Sequence, residues 1–138
     1  MKSIFLILLF LATETLSTGC HKKSDDANNE TNLNGTWHLK HLSGGFVGID
    51  IEYQRGEVVW TFNESTLKVT VENNIDPADL NYPFSGLPTG SYDYEITVSD
   101  GTQYLSIEGA EQGALTVSST SLVLDDRPAD GFLRTFER

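Results

Sequence analysis

The chain has 138 residues, and its 20 acidic and 9 basic residues give a formal net charge of −11 at pH 7. This acidic balance argues against nucleic acid and anionic lipid headgroups as partners, because both are recognised through basic patches. Cys20 is the single cysteine, so the chain cannot form an internal disulfide.

The first 19 residues are typical of an export signal. Lys2 supplies a positive charge, and nine consecutive apolar residues follow from Ile4 to Ala12. A membrane-spanning helix needs about 20 apolar residues, whereas this run has the length of a signal-peptide core. We therefore predict a signal peptide over residues 1–19 rather than a permanent transmembrane helix.

Cys20 stands at the position where such a signal would be cut. The small residues Ser17, Thr18 and Gly19 precede it, and Leu16 lies one position further back. This stretch resembles the bacterial lipobox, in the looser form found in lipoproteins of the Bacteroidota. The resemblance implies cleavage before Cys20 and acylation of the new N-terminal residue, and two or more acyl chains anchor a protein durably. The alternative is an incidental thiol in an ordinary secreted chain.

Residues 20–32 link this cysteine to the rest of the chain. The link contains no large apolar residue after Cys20, so it cannot bury enough surface to offset the entropy cost of ordering, and we predict a flexible tether. The Lys-Ser-Asp-Asp step at 23–26 resembles the acidic signal of Bacteroidota lipoproteins sent to the cell surface, although a solvated charge run is an alternative. The resemblance implies a lipid anchor in the outer membrane with exposure at the cell surface; the periplasmic face is the second possibility.

Residues 33–138 have the pattern of one all-β domain. Apolar residues alternate with polar ones in short segments separated by Gly, Ser, Asn and Thr, and no stretch of a dozen residues has a helical period. Asp100-Gly101 supplies the residues that a tight hairpin turn needs at positive φ. The predicted strands are 36–42, 57–62, 66–72, 92–98, 105–107, 115–117, 122–124 and 131–138.

Eight strands predict a closed antiparallel up-and-down barrel, which also removes the exposed edges of an open sheet. Residues 46–53 alternate like a ninth strand, but first and last strands pair antiparallel only when the number is even. We therefore interpret residues 43–56 as a large flap, with a strand as the alternative. The tight turns fall at one end of the barrel and the longer loops at the other. The tether reaches the closed end, so the loop-rich mouth should face away from the membrane.

The closed end carries the sequence Asn34-Gly35-Thr36-Trp37, and here the chain resembles the lipocalin superfamily, whose first strand opens with Gly-x-Trp. The resemblance implies that Trp37 plugs the barrel base and that an arginine of the last strand packs across it, either Arg138 or Arg134. The chain is shorter than a typical lipocalin and lacks the disulfide common in that family. The alternative is that Trp37 is a core residue of another β fold, such as an open sandwich.

The sequence carries no recognisable catalytic, phosphate-binding or metal-binding motif, so we expect neither an enzyme nor a cofactor or metal site. His38 and His41 are three residues apart, which on a regular strand places them on opposite faces. The sequence indicates no particular oligomeric state.

Aromatic residues on the predicted inward face form the candidate ligand site. Trp60, Phe62, Tyr92 and Tyr94 share this face with Leu67, Val69, Ile96, Leu105 and Ile107. An eight-stranded barrel is just wide enough to hold one small ligand or to be filled by side chains. The aromatic residues therefore either line an apolar cavity or fill it. The first possibility predicts a barrel that binds or carries a small apolar ligand. The second predicts an interaction module that meets a protein or glycan through its mouth loops.

Overall fold

The computed structural model describes residues 32–138. The predicted signal peptide (1–19), Cys20 and the tether as far as residue 31 lie outside the described residues. The strands are β1 (Gly35–Gly44), β2 (Ile49–Glu52), β3 (Val58–Asn63), β4 (Lys68–Asn73), β5 (Gly90–Ser99), β6 (Thr102–Ile107), β7 (Ala110–Val117), β8 (Ser121–Asp125) and β9 (Phe132–Glu137). Short 3-10 turns occupy Tyr82–Phe84 and Arg127–Ala129. No helix in this part of the chain is both long enough and apolar enough to cross a membrane.

The strands form one antiparallel sheet that closes on itself. From β3 to β9 each strand pairs with its neighbours in chain order, and β9 returns to pair with β1. The closing ladder runs from His38 opposite Glu137 to Gly44 opposite Phe132. Because β1 and β3 to β9 make a complete circuit, the prediction of an eight-stranded up-and-down barrel is confirmed.

Strand β2 corrects the interpretation of residues 43–56 as a flap. One edge of β1 pairs with β3 over Gly35–His38 and with β2 over His41–Gly44. The parity argument assumed that every strand spans the whole barrel, whereas β2 and β3 divide one edge of β1 between them. Nine strands therefore form a barrel with an eight-strand circuit, and residues 49–52 belong to the sheet.

A β-bulge in β1 separates the two pairings. The ladder with β9 shifts between Leu39 and His41, so Lys40 is an extra residue in β1. A bulge changes the faces that the following side chains occupy. Leu39 and Leu42 are both buried in the barrel interior, which leaves His38 and His41 on the outside. The prediction that the two histidines lie on opposite faces was therefore wrong.

Two tight turns show how local sequence sets the strand ends. Asp100 and Gly101 have φ values of 50° and 77°, so the predicted hairpin turn between β5 and β6 is confirmed. The β3–β4 turn is longer than expected, because the Asn63 carboxamide oxygen accepts hydrogen bonds from the backbone N–H groups after it. Leu67 completes this turn at a φ of 51° and is 57% exposed, so its predicted inward position was wrong.

Candidate functional site

The base of the barrel is closed by Trp37. Its ring is fully buried, and its Nε1–H donates a hydrogen bond of 2.8 Å to the Leu33 carbonyl. The guanidinium carbon of Arg138 lies 4.1 Å from the centre of the Trp37 ring. Arg138 also donates through Nη2 to the carbonyls of Asn32 and Asn34. Arg138, and not Arg134, is therefore the arginine that packs across Trp37. Gly35, the first residue of β1, has a φ of 114°.

The base region, which we define by Trp37, Phe62, Tyr94 and Phe136, is filled by side chains. The Phe62 and Tyr94 rings meet edge to face with centroids 5.2 Å apart. Trp60 lies above them, with its centroid 6.1 Å from that of Phe62 and 5.0 Å from that of Phe136. Trp60, Phe62 and Tyr94 are three of the four residues predicted to line a cavity. All three are buried, and each contacts another aromatic ring.

The fourth predicted residue, Tyr92, lies nearer the mouth and is half-buried. Its hydroxyl donates a hydrogen bond of 2.9 Å to the carbonyl of Pro88. Pro88 belongs to residues 74–89, the long connection between β4 and β5, which we call the mouth loop. Tyr92 therefore joins the barrel wall to the mouth loop.

The mouth loop covers the open end of the barrel. Asn73, at the end of β4, donates through its side chain to the Ser85 hydroxyl at 2.6 Å, and its backbone N–H donates to the Thr89 hydroxyl at 2.9 Å. Phe84 packs edge to face on Phe132 with centroids 6.2 Å apart. The cover predicted for residues 43–56 is therefore supplied mainly by the β4–β5 connection, because the predicted flap is tied into the sheet through β2.

The tip of the β1–β2 turn projects into solvent. Phe46 and Val47 are 98% and 78% exposed, so they do not cover the mouth as the flap interpretation required. Ile49 and Ile51 on β2 do pack against the core, and Tyr53 just beyond them is buried. The alternating residues of this segment thus divide between an exposed turn and the barrel interior.

Arg134 lies inside the barrel mouth. It shares the inward face of β9 with Phe132 and Phe136, and its Nη1 makes a long contact of 3.4 Å with the Gln112 carbonyl. Burial lowers the pKa of Arg134, while the charges of Asp126 and Tyr53 act in the opposite direction. The side chain therefore brings a positive charge into a largely apolar space.

Tyr53 faces the same space. Its side chain is 6% exposed, and its hydroxyl has no hydrogen-bond partner within the described residues. Burial raises the pKa of Tyr53 to about 12; the Arg134 charge lowers it, and the charges of Glu57 and Asp79 raise it further. We define the mouth region by Tyr53, Phe84, Phe132 and Arg134.

Neither polar member of the mouth region, Tyr53 or Arg134, was among the predicted ligand-site residues. Arg134 was considered only for the barrel base, although it alternates with Phe132 and Phe136 and therefore shares their inward face. Tyr53 was assigned to the flap. The same alternation, continued from Ile49 and Ile51, was the available signal.

The two histidines on the outer face have separate surroundings. His41 Nε2 lies 2.6 Å from an oxygen of Asp50 on the neighbouring strand. His38 has a pKa lowered mainly by burial and by the Arg55 charge. Among residues 32–138, no three His, Cys, Asp or Glu side chains are grouped closely enough to hold a metal ion.

A side cleft of about 170 Å³ reaches the mouth region. Its lining includes Tyr53, Glu57, Ile75 and Asp79. A larger cleft of about 460 Å³ lies at the opposite end, beside the β5–β6 turn, and includes Val98 and Leu115.

Comparison of the chain with family models, curated proteins and solved structures finds no match.

Proposed function

We propose that this protein is a lipid-anchored lipoprotein of the cell envelope whose lipocalin-like barrel binds a small, largely apolar ligand beneath the mouth loop. The observation that carries the proposal is a change in packing along the barrel. Apolar side chains of the base region are almost fully buried, whereas Phe84, Leu87 and Phe132 at the mouth are partly buried. Ligand sites are lined mainly by apolar and aromatic side chains, so these partly buried side chains are the ones that a ligand at the mouth would cover.

The attachment of the mouth loop supports a cover that can open. Asn73 holds Ser85 and Thr89 through hydrogen bonds, while apolar contacts of the loop are made by partly buried residues. Segments with few buried apolar contacts open at lower free-energy cost than a packed core. A ligand would reach the mouth region when this loop moves.

The proposed anchor is Cys20. Arg138 at the barrel base donates a hydrogen bond to the carbonyl of Asn32, so the last residue of the predicted tether lies at the end opposite the mouth loop. This direction supports a mouth that faces away from the membrane. In cell fractionation, a Cys20→Ala variant should leave the membrane fraction. Continued partition of that variant with membranes would contradict the anchor.

Native mass spectrometry of the full chain tests ligand binding. The protein should be purified gently from cells, and its native mass compared with its denatured mass. We expect a reproducible excess mass that is lost on denaturation and that identifies the class of ligand. The absence of any excess mass, together with no uptake from a panel of apolar compounds, would contradict the proposal.

The exposed mouth rim favours a second candidate, a module that binds a protein or glycan. Phe46, Val47 and Leu80 are 98%, 78% and 90% exposed, and exposed apolar residues are frequent at interaction sites. A photo-crosslinking residue at position 46 should then capture a partner in intact cells. The same residue at Ser119, in the β7–β8 turn at the base end, provides the control. Equal labelling from both positions would count against this candidate.

A further inference from the structure

Two buried donors lack acceptors within the described residues, one in the mouth region and one on Trp60, whose ring reaches the mouth loop at Gly86. The Tyr53 hydroxyl and the Trp60 Nε1–H are both buried without a hydrogen-bond partner in residues 32–138. Arg134 beside them is partly buried; its guanidinium makes one long contact with the Gln112 carbonyl, and its other N–H donors have no protein partner among the described residues. Buried polar groups are nearly always satisfied, so a group of unpaired donors requires an explanation.

The charge of Arg134 is likewise unpaired at close range. The ion pairs formed within the described residues do not include Arg134. Asp126 influences the guanidinium through its charge, but no hydrogen bond joins the two side chains. A partly buried cation loses part of its hydration, which is costly unless a bonded anion compensates it. The barrel therefore places a cation without an ion-pair partner in residues 32–138 beside the partly buried side chains of the mouth region.

We infer that the ligand bound at the mouth region carries a carboxylate, which accepts hydrogen bonds from Arg134 and Tyr53. This inference rests on the proposed function. The planar guanidinium matches the two oxygens of a carboxylate and can bind both at once. The Tyr53 hydroxyl supplies a further donor from the other side of β1, because Tyr53 directly follows β2, and β2 and β9 flank β1 on its two edges. The charge of Arg134 acts on Tyr53, so the two groups lie near each other.

The remainder of the ligand would be apolar. Phe132 lies next to Arg134 on the inward face of β9, and Phe84 of the mouth loop packs on it. Leu87 and Ile75 of the same loop also pack against the core. A carboxylate at Arg134 with an alkyl group among these side chains describes an amphipathic carboxylic acid.

Two acidic side chains near this site contribute negative charge. Glu57 and Asp79 line the side cleft and raise the pKa of Tyr53, so they oppose a bound anion. Both side chains reach solvent, where salt screens charges beyond about 8 Å at physiological ionic strength. The guanidinium is partly buried and is screened less. Arg134 should therefore decide the sign of the charge that the site prefers.

The experiment measures binding of acids and of uncharged compounds with the same tails. Butanoate, octanoate and dodecanoate, each labelled with ¹³C at the carboxyl carbon, are titrated into the purified full chain and followed by NMR. The alcohols of equal length are titrated in parallel, and protein-free buffer of the same composition provides the blank. We expect one or more acids to bind at least about tenfold more tightly than the matching alcohol.

Two variants and one control separate binding from folding. Arg134→Met should abolish the preference for the acid over the alcohol. It should also abolish the change in the ¹³C chemical shift of the acid's carboxyl carbon. Tyr53→Phe, which removes one unpaired hydroxyl and leaves the ring, should weaken acid binding about threefold to tenfold without reducing stability. Arg127→Met, at an exposed rim arginine paired with Asp125, should bind the acid as wild type does.

The outcomes distinguish the inference from the proposed function. Equal binding of acids and alcohols, or acid binding unchanged in both Arg134→Met and Tyr53→Phe, overturns the carboxylate inference and leaves ligand binding intact. Failure of both series at every chain length overturns ligand binding by the barrel, and the carboxylate inference with it.

Discussion

The two ends of the barrel interior are built differently. In the base region, Phe62, Tyr94 and Phe136 form ring contacts, and Trp37 directs its N–H to a carbonyl. In the mouth region, apolar side chains are partly buried, and the polar groups of Tyr53 and Arg134 lack close partners. The base region is packed like a stable core. In the mouth region, two polar groups have no close partner among the described residues. Under the proposed function, stability and ligand binding therefore belong to different ends of one continuous sheet.

Two phenylalanines give the largest expected contrast between the ends. Phe62→Ala should lower the free energy of unfolding by about 3–5 kcal/mol, because it opens a cavity among tightly packed rings. Phe84→Ala removes the same group from a partly buried position and should cost about 1–2 kcal/mol. Denaturant unfolding of both variants provides the measurement. Equal losses would contradict the division between a packed base and a less completely packed mouth.

Two arginines give the next contrast. Arg138→Ala should destabilise the protein by about 1–2 kcal/mol, since the variant loses the contact with the Trp37 ring and two hydrogen bonds to carbonyls. Arg134→Met should be neutral or stabilising in the absence of ligand, because it replaces a partly buried charge without an ion-pair partner in residues 32–138 by an apolar side chain. Thermal unfolding checks both. A large loss of stability in Arg134→Met would show that the guanidinium supports the fold rather than a ligand.

The smallest expected effect is a pH dependence at Tyr53. The folded pKa of Tyr53 is raised to about 12 from the ordinary value of 10.0, so the unfolded chain releases its proton first as pH rises. The stability that this group contributes is complete below pH 10 and is lost as pH rises towards 12. Tyr53→Phe should lose less unfolding free energy than wild type over this window. Identical pH profiles would be inconsistent with a buried Tyr53 hydroxyl.

The barrel could be predicted because its signals are local. Alternation of apolar residues fixed the inward positions of Trp60, Phe62 and Tyr94, and Asp100-Gly101 fixed a turn. The division of the β1 edge between β2 and β3 could not be read in this way, because pairing partners are set by contacts distant in sequence. The bulge at Lys40 has no distinctive sequence, and it reversed the expected placement of the histidines.

The candidate site was less predictable than the fold. An inward aromatic residue has the same sequence pattern whether it lines a cavity or fills it, and only packing distances separate the two. Arg134 illustrates the opposite problem, since an arginine between two inward phenylalanines is assigned readily to the surface or to a structural contact. Whether a carboxylate forms an ion pair with it depends on the three-dimensional arrangement of several strands.

The two tryptophans provide the most direct test of a packed base and a ligand-binding mouth. Trp37 and Trp60 are the chain's two tryptophans, and the first has a bonded indole N–H while the second does not. The measurement is a ¹H–¹⁵N NMR titration of the full chain with octanoate, in which each indole N–H gives its own signal. The account predicts that the Trp60 signal shifts and saturates while the Trp37 signal stays in place. A shift of Trp37 with no change at Trp60, or no change in either signal at saturating octanoate, would contradict it.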